Sequence, residues 1–282
     1  MVNSVSFPGL FDTVFQLNRV AFTVFGKDIM WYGVIIAAGF LLAVLYARAR
    51  CEEFCCPQDT LLDGILVCLP CAILGARAYY VICEWDYYGR HPEDIIAIWK
   101  GGLGIYGALI VTGVVMVLFC KKRRVDLLGA FDFVSMSFLL AQGIGRWGNF
   151  VNAEAHGGVT GLPWGMVING AAAVHPTFLY ESLWDLAGFV FLHLYSKKRR
   201  FRGEIGLLYL GWYGMIRFLT EFLRTDSLYI GSTGIRTSQL VGGLCVAVSV
   251  GLLTYFYRTK RYPRPFPGRP QTDDDREESD RE

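Results

Sequence analysis

The chain reads as an all-α integral membrane protein of about seven transmembrane helices. Three observations carry that reading. Its residues are 53% hydrophobic and only 18% charged, against about 25% charge in ordinary globular domains, and its mean hydropathy is +0.36. Several runs are long and apolar enough to cross about 30 Å of hydrocarbon. Lys and Arg gather at every second connection between those runs. The formal net charge of +2 is too small to point to nucleic acid as a partner. The aromatic and β-branched content excludes disorder for most of the chain.

Residues 1–28 lack a basic start and a small-residue cleavage site, so they are not a signal peptide. Phe7, Leu10, Phe11, Val14 and Phe15 recur at helical spacing. That predicts an amphipathic helix lying at the membrane interface. Spans are expected near 29–48, 60–83, 102–120, 129–148, 178–196, 205–224 and 238–257. Strands do not suit runs of this length. The first span is followed by Arg48 and Arg50, the third by Lys121, Lys122, Arg123 and Arg124. The fifth is followed by Lys197, Lys198, Arg199, Arg200 and Arg202, the seventh by Arg258, Lys260, Arg261 and Arg264. The alternate connections carry only Arg19 and Lys27, then Arg90 and Lys100, then Arg236. The positive-inside rule therefore puts the N-terminus outside and the C-terminus in the cytoplasm.

This gives an interfacial segment (1–28), a seven-helix membrane domain (29–257) and a tail (258–282) that is basic, then acidic, and disordered by composition. No internal repeat and no soluble-type phosphate loop is visible. Of the eight cysteines, Cys68, Cys71, Cys83, Cys120 and Cys245 lie in or at the ends of apolar runs. Cys51, Cys55 and Cys56 follow a cytoplasmic basic segment, where thiols stay reduced. Cys68-x-x-Cys71 lacks a βαβ setting, so these cysteines read as small apolar residues.

Ionisable residues inside spans are disfavoured unless paired or wet. Arg77 sits in GARAYY, Arg146 in GIGRWGNFVNAEAHGG, Glu181 and Asp185 in HPTFLYESLWD, and Arg217, Glu221 and Arg224 in RFLTEFLR. By the expected topology all lie in the outer half of the bilayer. Arg146 and Asn149 share a helix face, as do Arg217, Glu221 and Arg224. Glu181 and Asp185 are available to Arg77 or Arg146; spacing does not choose between them. Such groups either fix packing as inter-helix ion pairs or hold an anion. Convergence on one depth favours the second, and guanidinium groups match phosphate oxygens in pairs.

The loop GGLGIYG (101–107) surrounds Tyr106 with four glycines. It is either a plain turn with a tightly packed helix start or a re-entrant loop lining a cavity. His156 and His175 lie nineteen apart without Cys partners, weak grounds for a metal site. Trp31, Tyr32, Trp85, Trp147, Trp164 and Tyr180 fit an interfacial aromatic belt.

With GRWGNFVNAEAHGG (145–158), HPTFLYE (175–181), RFLTEFLRTD (217–226), WYG (31–33), GARAYY (75–80) and GGLGIYG in this order, the sequence resembles the prolipoprotein diacylglyceryl transferases across about residues 28–257. The resemblance implies an enzyme of the bacterial cytoplasmic (inner) membrane. Its partners would be phosphatidylglycerol and preprolipoprotein signal peptides, within the lipid bilayer. The diacylglyceryl group would pass to the lipobox cysteine thiol, and glycerol-1-phosphate would leave. No metal or organic cofactor is implied. By motif, Arg146, Arg217, Tyr106 and Glu221 carry over as catalytic. Tyr32, Arg77, Asn149, Asn152, Glu154, Gly157, His175, Tyr180, Glu181 and Arg224 carry over as substrate-binding. Where this chain has Tyr106, some members have histidine. Tyrosine, with a reference pKa of about 10, is a poor base near neutral pH, so a hydrogen-bonding role is expected. The competing readings are a seven-span transporter or channel for an anionic solute and a lipid-binding scaffold. The first predicts repeats and mid-bilayer charges; the second leaves the signature segment without a use.

Overall fold

The computed structural model describes residues 2–225, 227, 229 and 233–263. Asp226 and the tail from Arg264 on lie outside the described residues.

Among the described residues seven long helices form: α1 (Trp31–Arg50), α2 (Gln58–Cys83), α3 (Ile105–Arg123), α4 (Leu127–Asn152), α5 (Thr177–Tyr195), α6 (Glu204–Glu221) and α7 (Thr237–Thr259). Each overlaps an expected span. Their ends have local causes. Arg48 and Arg50 close α1, and Lys121, Lys122 and Arg123 close α3, where cations complement the helix dipole. Arg124 and Lys260 then turn left-handed and stop α3 and α7. Among the described residues, five helical stretches are long and apolar enough to cross a membrane: Trp31–Phe54, Gln58–Cys83, Ile105–Arg123, Leu127–Asn152 and Thr237–Thr259. α5 and α6 fall short because Glu181, Asp185 and His193, and Glu204, Arg217 and Glu221, dilute their apolar residues. Phe40, Leu41, Leu42, Leu45, Leu66, Leu74, Leu109, Ile110, Leu244 and Val250 stand exposed along four of the five, all but Leu127–Asn152. Soluble chains rarely expose so much apolar surface.

The N-terminal segment departs from expectation. It forms no helix. It folds as strands β1 (Val2–Phe7), β2 (Phe11–Asn18), β3 (Val20–Val24) and β4 (Lys27–Met30). β1 lies between β2 and a two-residue β5 (Val167–Ile168), all antiparallel; β3 and β4 form a separate hairpin. Two causes account for the difference. Pro8 lacks an N–H and Gly9 weakens any helix through the segment. A spacing of four, as from Phe7 to Phe11 to Phe15, is one helical turn but also two strand repeats. Val5 and Phe7 alternate inward and pack on Met166 and Phe178. Phe25 and Gly26, both at positive φ, make the tight turn of the β3–β4 hairpin, as a two-residue connection requires.

The chain divides into two compact units. One runs to Tyr46 and resumes at Val134; the other is Ala47–Phe133. In the first, α6 and α7 meet backbone to backbone: a Cβ on Gly214 would lie 2.7 Å from the Gly242 carbonyl, and one on Gly242 would lie 2.8 Å from that of Gly214. Small residues permit such contacts where packing, not the hydrophobic effect, joins helices. α5 and α6 are joined by Trp184 and Trp212, whose rings stack at 4.7 Å and whose indole N–H groups each donate to the other's carbonyl. In the second unit α2 and α3 cross at Gly75 and Gly107. A Cβ on Gly107 would lie 2.2 Å from the Gly75 carbonyl.

Candidate active site

Three helix ends of the first unit bring five charged side chains together. Arg146 comes from the last third of α4, Glu181 from the first turns of α5, and Arg217 and Glu221 from the end of α6. Arg224 follows just beyond α6. Glu181 is the hub. It pairs with Arg146 through Oε2. Its Oε1 accepts from Arg217 Nη1 at 3.0 Å and lies 3.9 Å from Arg224 Nη1. Arg217 Nη2 donates to Glu221 Oε2 at 3.0 Å, across one helical turn. Spacing left the partner of Glu181 open; within this unit it pairs with Arg146.

The two glutamate side chains are 2% exposed and the three arginines 14–19%. The carboxylates therefore lie behind and the guanidinium edges in front. An arginine has five N–H donors; Arg217 spends one on Glu181 and one on Glu221. A partly open row of guanidinium groups with buried acidic backing is suited to a phosphate-sized anion.

The signature loop is built onto this cluster. Ala153 and Ala155 adopt left-handed backbone after α4. Glu154 Oε1 accepts from Asn149 Nδ2 at 3.2 Å and from Asn152 Nδ2 at 3.1 Å, so these three hold one another and shape the turn. Thr177 Oγ1 donates to the Ala155 carbonyl at 2.6 Å. Gly157 donates its N–H to the His175 carbonyl, and Gly158 donates to the Leu223 carbonyl at 2.8 Å. A Cβ on Gly157 would lie 2.7 Å from the His175 Cβ and 3.0 Å from the Leu223 carbonyl. The bare glycine lets the loop approach Arg224, its bridge partner.

His175 Nδ1 faces the Tyr180 hydroxyl at 3.4 Å, and Trp164 Nε1 donates to that hydroxyl at 2.8 Å. His156 Nδ1 meets the Gly157 carbonyl. Among the described residues no three His, Cys, Asp or Glu side chains are grouped to hold a metal ion. Tyr32, at the start of α1, lays its ring against Gly148, where a Cβ would lie 2.8 Å from Cδ2.

Arg77 and Tyr106 belong to the second unit. Arg77 is buried and donates to four backbone carbonyls, those of Asp94, Ile95, Gly101 and Gly102, at 2.6–2.9 Å. It also stacks on Tyr88 at 5.0 Å. Its guanidinium is thereby committed to shaping the segment that precedes Tyr106. Gly104 donates to the Ala76 carbonyl at 2.9 Å, and α3 begins at Ile105. The GGLGIYG loop is therefore a short strap pinned to α2, running into a helix start.

Some cluster residues were not singled out in the sequence. Tyr209 and Tyr213 precede Arg217 at intervals of four and stack on each other at 5.9 Å; that shared helix face was the available signal. Gln142 Nε2 reaches the Tyr209 hydroxyl at 3.4 Å. Arg236, before α7, donates to the Glu221 carbonyl.

The family model described as Prolipoprotein diacylglyceryl transferase matches residues 19–255. A phosphatidylglycerol–prolipoprotein diacylglyceryl transferase of Finegoldia magna is 47% identical over 226 residues, 80% of this chain and 90% of the relative. The protein of the same name from Clostridioides difficile is 40% identical over 245 residues, 87% of this chain and 97% of the relative. That from Limosilactobacillus reuteri is 44% identical over 261 residues, 88% of this chain and 94% of the relative.

Proposed function

The chain belongs to the prolipoprotein diacylglyceryl transferase family, and on that premise we propose that it transfers the diacylglyceryl group of phosphatidylglycerol to the lipobox cysteine thiol of preprolipoproteins. A carbon–sulfur bond forms and the carbon–oxygen bond to phosphate breaks. Glycerol-1-phosphate leaves, and the thiol proton passes to the departing phosphate or to water. The observation that carries the reading is the row of Arg146, Arg217 and Arg224 on Glu181 and Glu221. Negative charge concentrates on the phosphate as the bond breaks, and fixed guanidinium groups stabilise it there without reorganising.

In this reading Arg146 and Arg217 hold the leaving phosphate, and Glu221 keeps Arg217 extended toward it. Glu181 fixes the spacing of both arginines, and Arg224 completes the anion-binding edge. Asn149, Asn152, Glu154 and Gly157 set the loop, with Tyr32, His175 and Tyr180 bordering it. Tyr106 is assigned an orienting hydrogen bond on its motif alone. Seven helices span the bacterial cytoplasmic membrane, with the N-terminus outside and the basic connections inside, as the Lys and Arg pattern supports. The cluster then lies at the depth of outer-leaflet headgroups.

The test is incubation of the purified protein with phosphatidylglycerol vesicles and a lipobox peptide. Mass spectrometry should show the peptide cysteine gaining one diacylglyceryl group. An unmodified cysteine with well-folded protein would overturn the reading.

A further inference from the structure

One acidic residue of the cluster has no task in the account above. Asp185 lies one turn beyond Glu181 on α5 and is fully buried. Among the described residues, neither of its carboxylate oxygens has a hydrogen-bond partner. Buried polar groups are normally satisfied, and an exception needs a reason. The charged groups facing it are Arg146 from α4, Glu181 from α5 and Arg217 from α6. Tyr209 and Tyr213, also from α6, lie within its field. Cys245 of α7 packs at Gly214 on the same helix, α6, where a Cβ would lie 3.0 Å from its own.

The other acids of the cluster are occupied. Glu181 holds Arg146 and Arg217, and Glu221 holds Arg217. A proton on either would break an ion pair. A proton on Asp185 would break no hydrogen bond, since it makes none among the described residues. An anion arriving at the arginines adds negative charge to a poorly solvated site, where uncompensated charge is strongly disfavoured.

We propose that Asp185 balances charge in the phosphate site, taking up one proton when an anionic phosphodiester headgroup binds the arginines and releasing it when the headgroup leaves. The step is a single proton passing from water to a carboxylate oxygen and back; no other bond changes. The proposal rests on the arginine row being a phosphate site. The phosphodiester itself stays singly charged near neutral pH, so a proton taken up on binding must reside on the protein.

The test is calorimetric titration of the full-length protein in detergent with dioctanoyl-phosphatidylglycerol, without peptide, so that no substrate thiol titrates. Buffers of different ionisation enthalpy count the protons taken up, between about pH 6 and 9. Up to one proton per lipid is expected, with Kd weakening by up to about tenfold per pH unit within the window. Asp185→Asn keeps the shape and mimics the protonated form. It should bind without proton uptake, at a Kd that no longer varies with pH. An Asp185→Asn protein that still takes up the proton overturns the proposal. So does wild-type binding without uptake, a result that needs no variant and stands even where Asp185→Asn fails to fold. Wild type that binds no phosphatidylglycerol overturns the phosphate-site reading along with it. A parallel titration with glycerol-1-phosphate, read above about pH 8 where this monoester is already fully ionised, separates headgroup from free phosphate. Coupling seen only there would make this a free-phosphate site and overturn the assignment to the lipid.

Discussion

Replacing Glu181 by Gln keeps the side chain's shape and removes the charge on which the arginines converge. In the structure Glu181 serves Arg146 and Arg217 directly and has Arg224 at 3.9 Å. Glu221 serves Arg217 alone through its side chain. A hydrogen bond to a charged group contributes about 1.5–3 kcal/mol. Glu181→Gln therefore forfeits one charged hydrogen bond, to Arg217, and the Arg146 ion pair, about 3–6 kcal/mol with the pair counted at the worth of a bond, and Glu221→Gln forfeits about 1.5–3 kcal/mol for its one bond. The first also leaves Arg146 and Arg217 facing each other without an intervening anion, so its loss falls toward the upper end. The assay is unfolding of wild type and the two variants in one detergent, followed by heat or denaturant. The expected order is wild type, then Glu221→Gln, then Glu181→Gln, with the second gap at least as large as the first. A bound anion restores part of the lost neutralisation, and ligands that bind only the folded state stabilise it. Added phosphatidylglycerol should therefore raise Glu181→Gln more than it raises wild type. A Glu181→Gln protein as stable as wild type, or more stable than Glu221→Gln, would refute Glu181 as the hub.

Arg146→Ala should lower transfer roughly a hundred- to a thousandfold, the usual cost of losing a donor aimed at developing charge. Arg146→Lys should recover little of it, because a point charge lacks the paired donors; steady-state rates with the lipobox peptide check both. Tyr106→Phe should slow transfer through one lost hydrogen bond without changing the shape of the pH–rate profile. If Tyr106 were the base, phenylalanine would abolish transfer. Cys83, exposed at the end of α2, should react with a membrane-impermeant maleimide in intact cells, and Cys55, exposed before α2, only after permeabilisation. Burial pushes the neighbouring Cys56 thiol up to about 12. Below that it is mostly protonated, so at pH 7–9 it should label far more slowly than Cys55, its alkylation rate climbing with pH.

The helices were legible because a helix able to cross a bilayer needs an apolar run of fixed length, which the sequence displays directly. α2, for example, covers 58–83 where 60–83 was expected. The segment before the first span obeys no such rule. There Phe7, Phe11 and Phe15 satisfy both periods, and the decision came from tertiary contacts. Val5 and Phe7 find Met166 and Phe178, and Ser4 donates its N–H to the Asn169 side chain. Partners more than a hundred and fifty residues away leave no trace in local spacing.

The site divides along the same line. Arg217, Glu221 and Arg224 were readable as one face because helical geometry relates them directly, and Arg217 does meet Glu221 at 3.0 Å. The choice of Glu181 as hub depends on which helices adjoin, and that depends on close contacts such as the Trp184–Trp212 stack between α5 and α6. Arg77 shows the limit most clearly. A lone arginine in an apolar run resembles an anion ligand when only its type and depth are known. In the fold it meets four carbonyls of a loop seventeen to twenty-five residues further along. Carbonyl acceptors belong to every residue, so no side-chain pattern announces them. An unpaired cation in a span therefore indicates that something must compensate it, and only the fold distinguishes a ligand from a backbone turn.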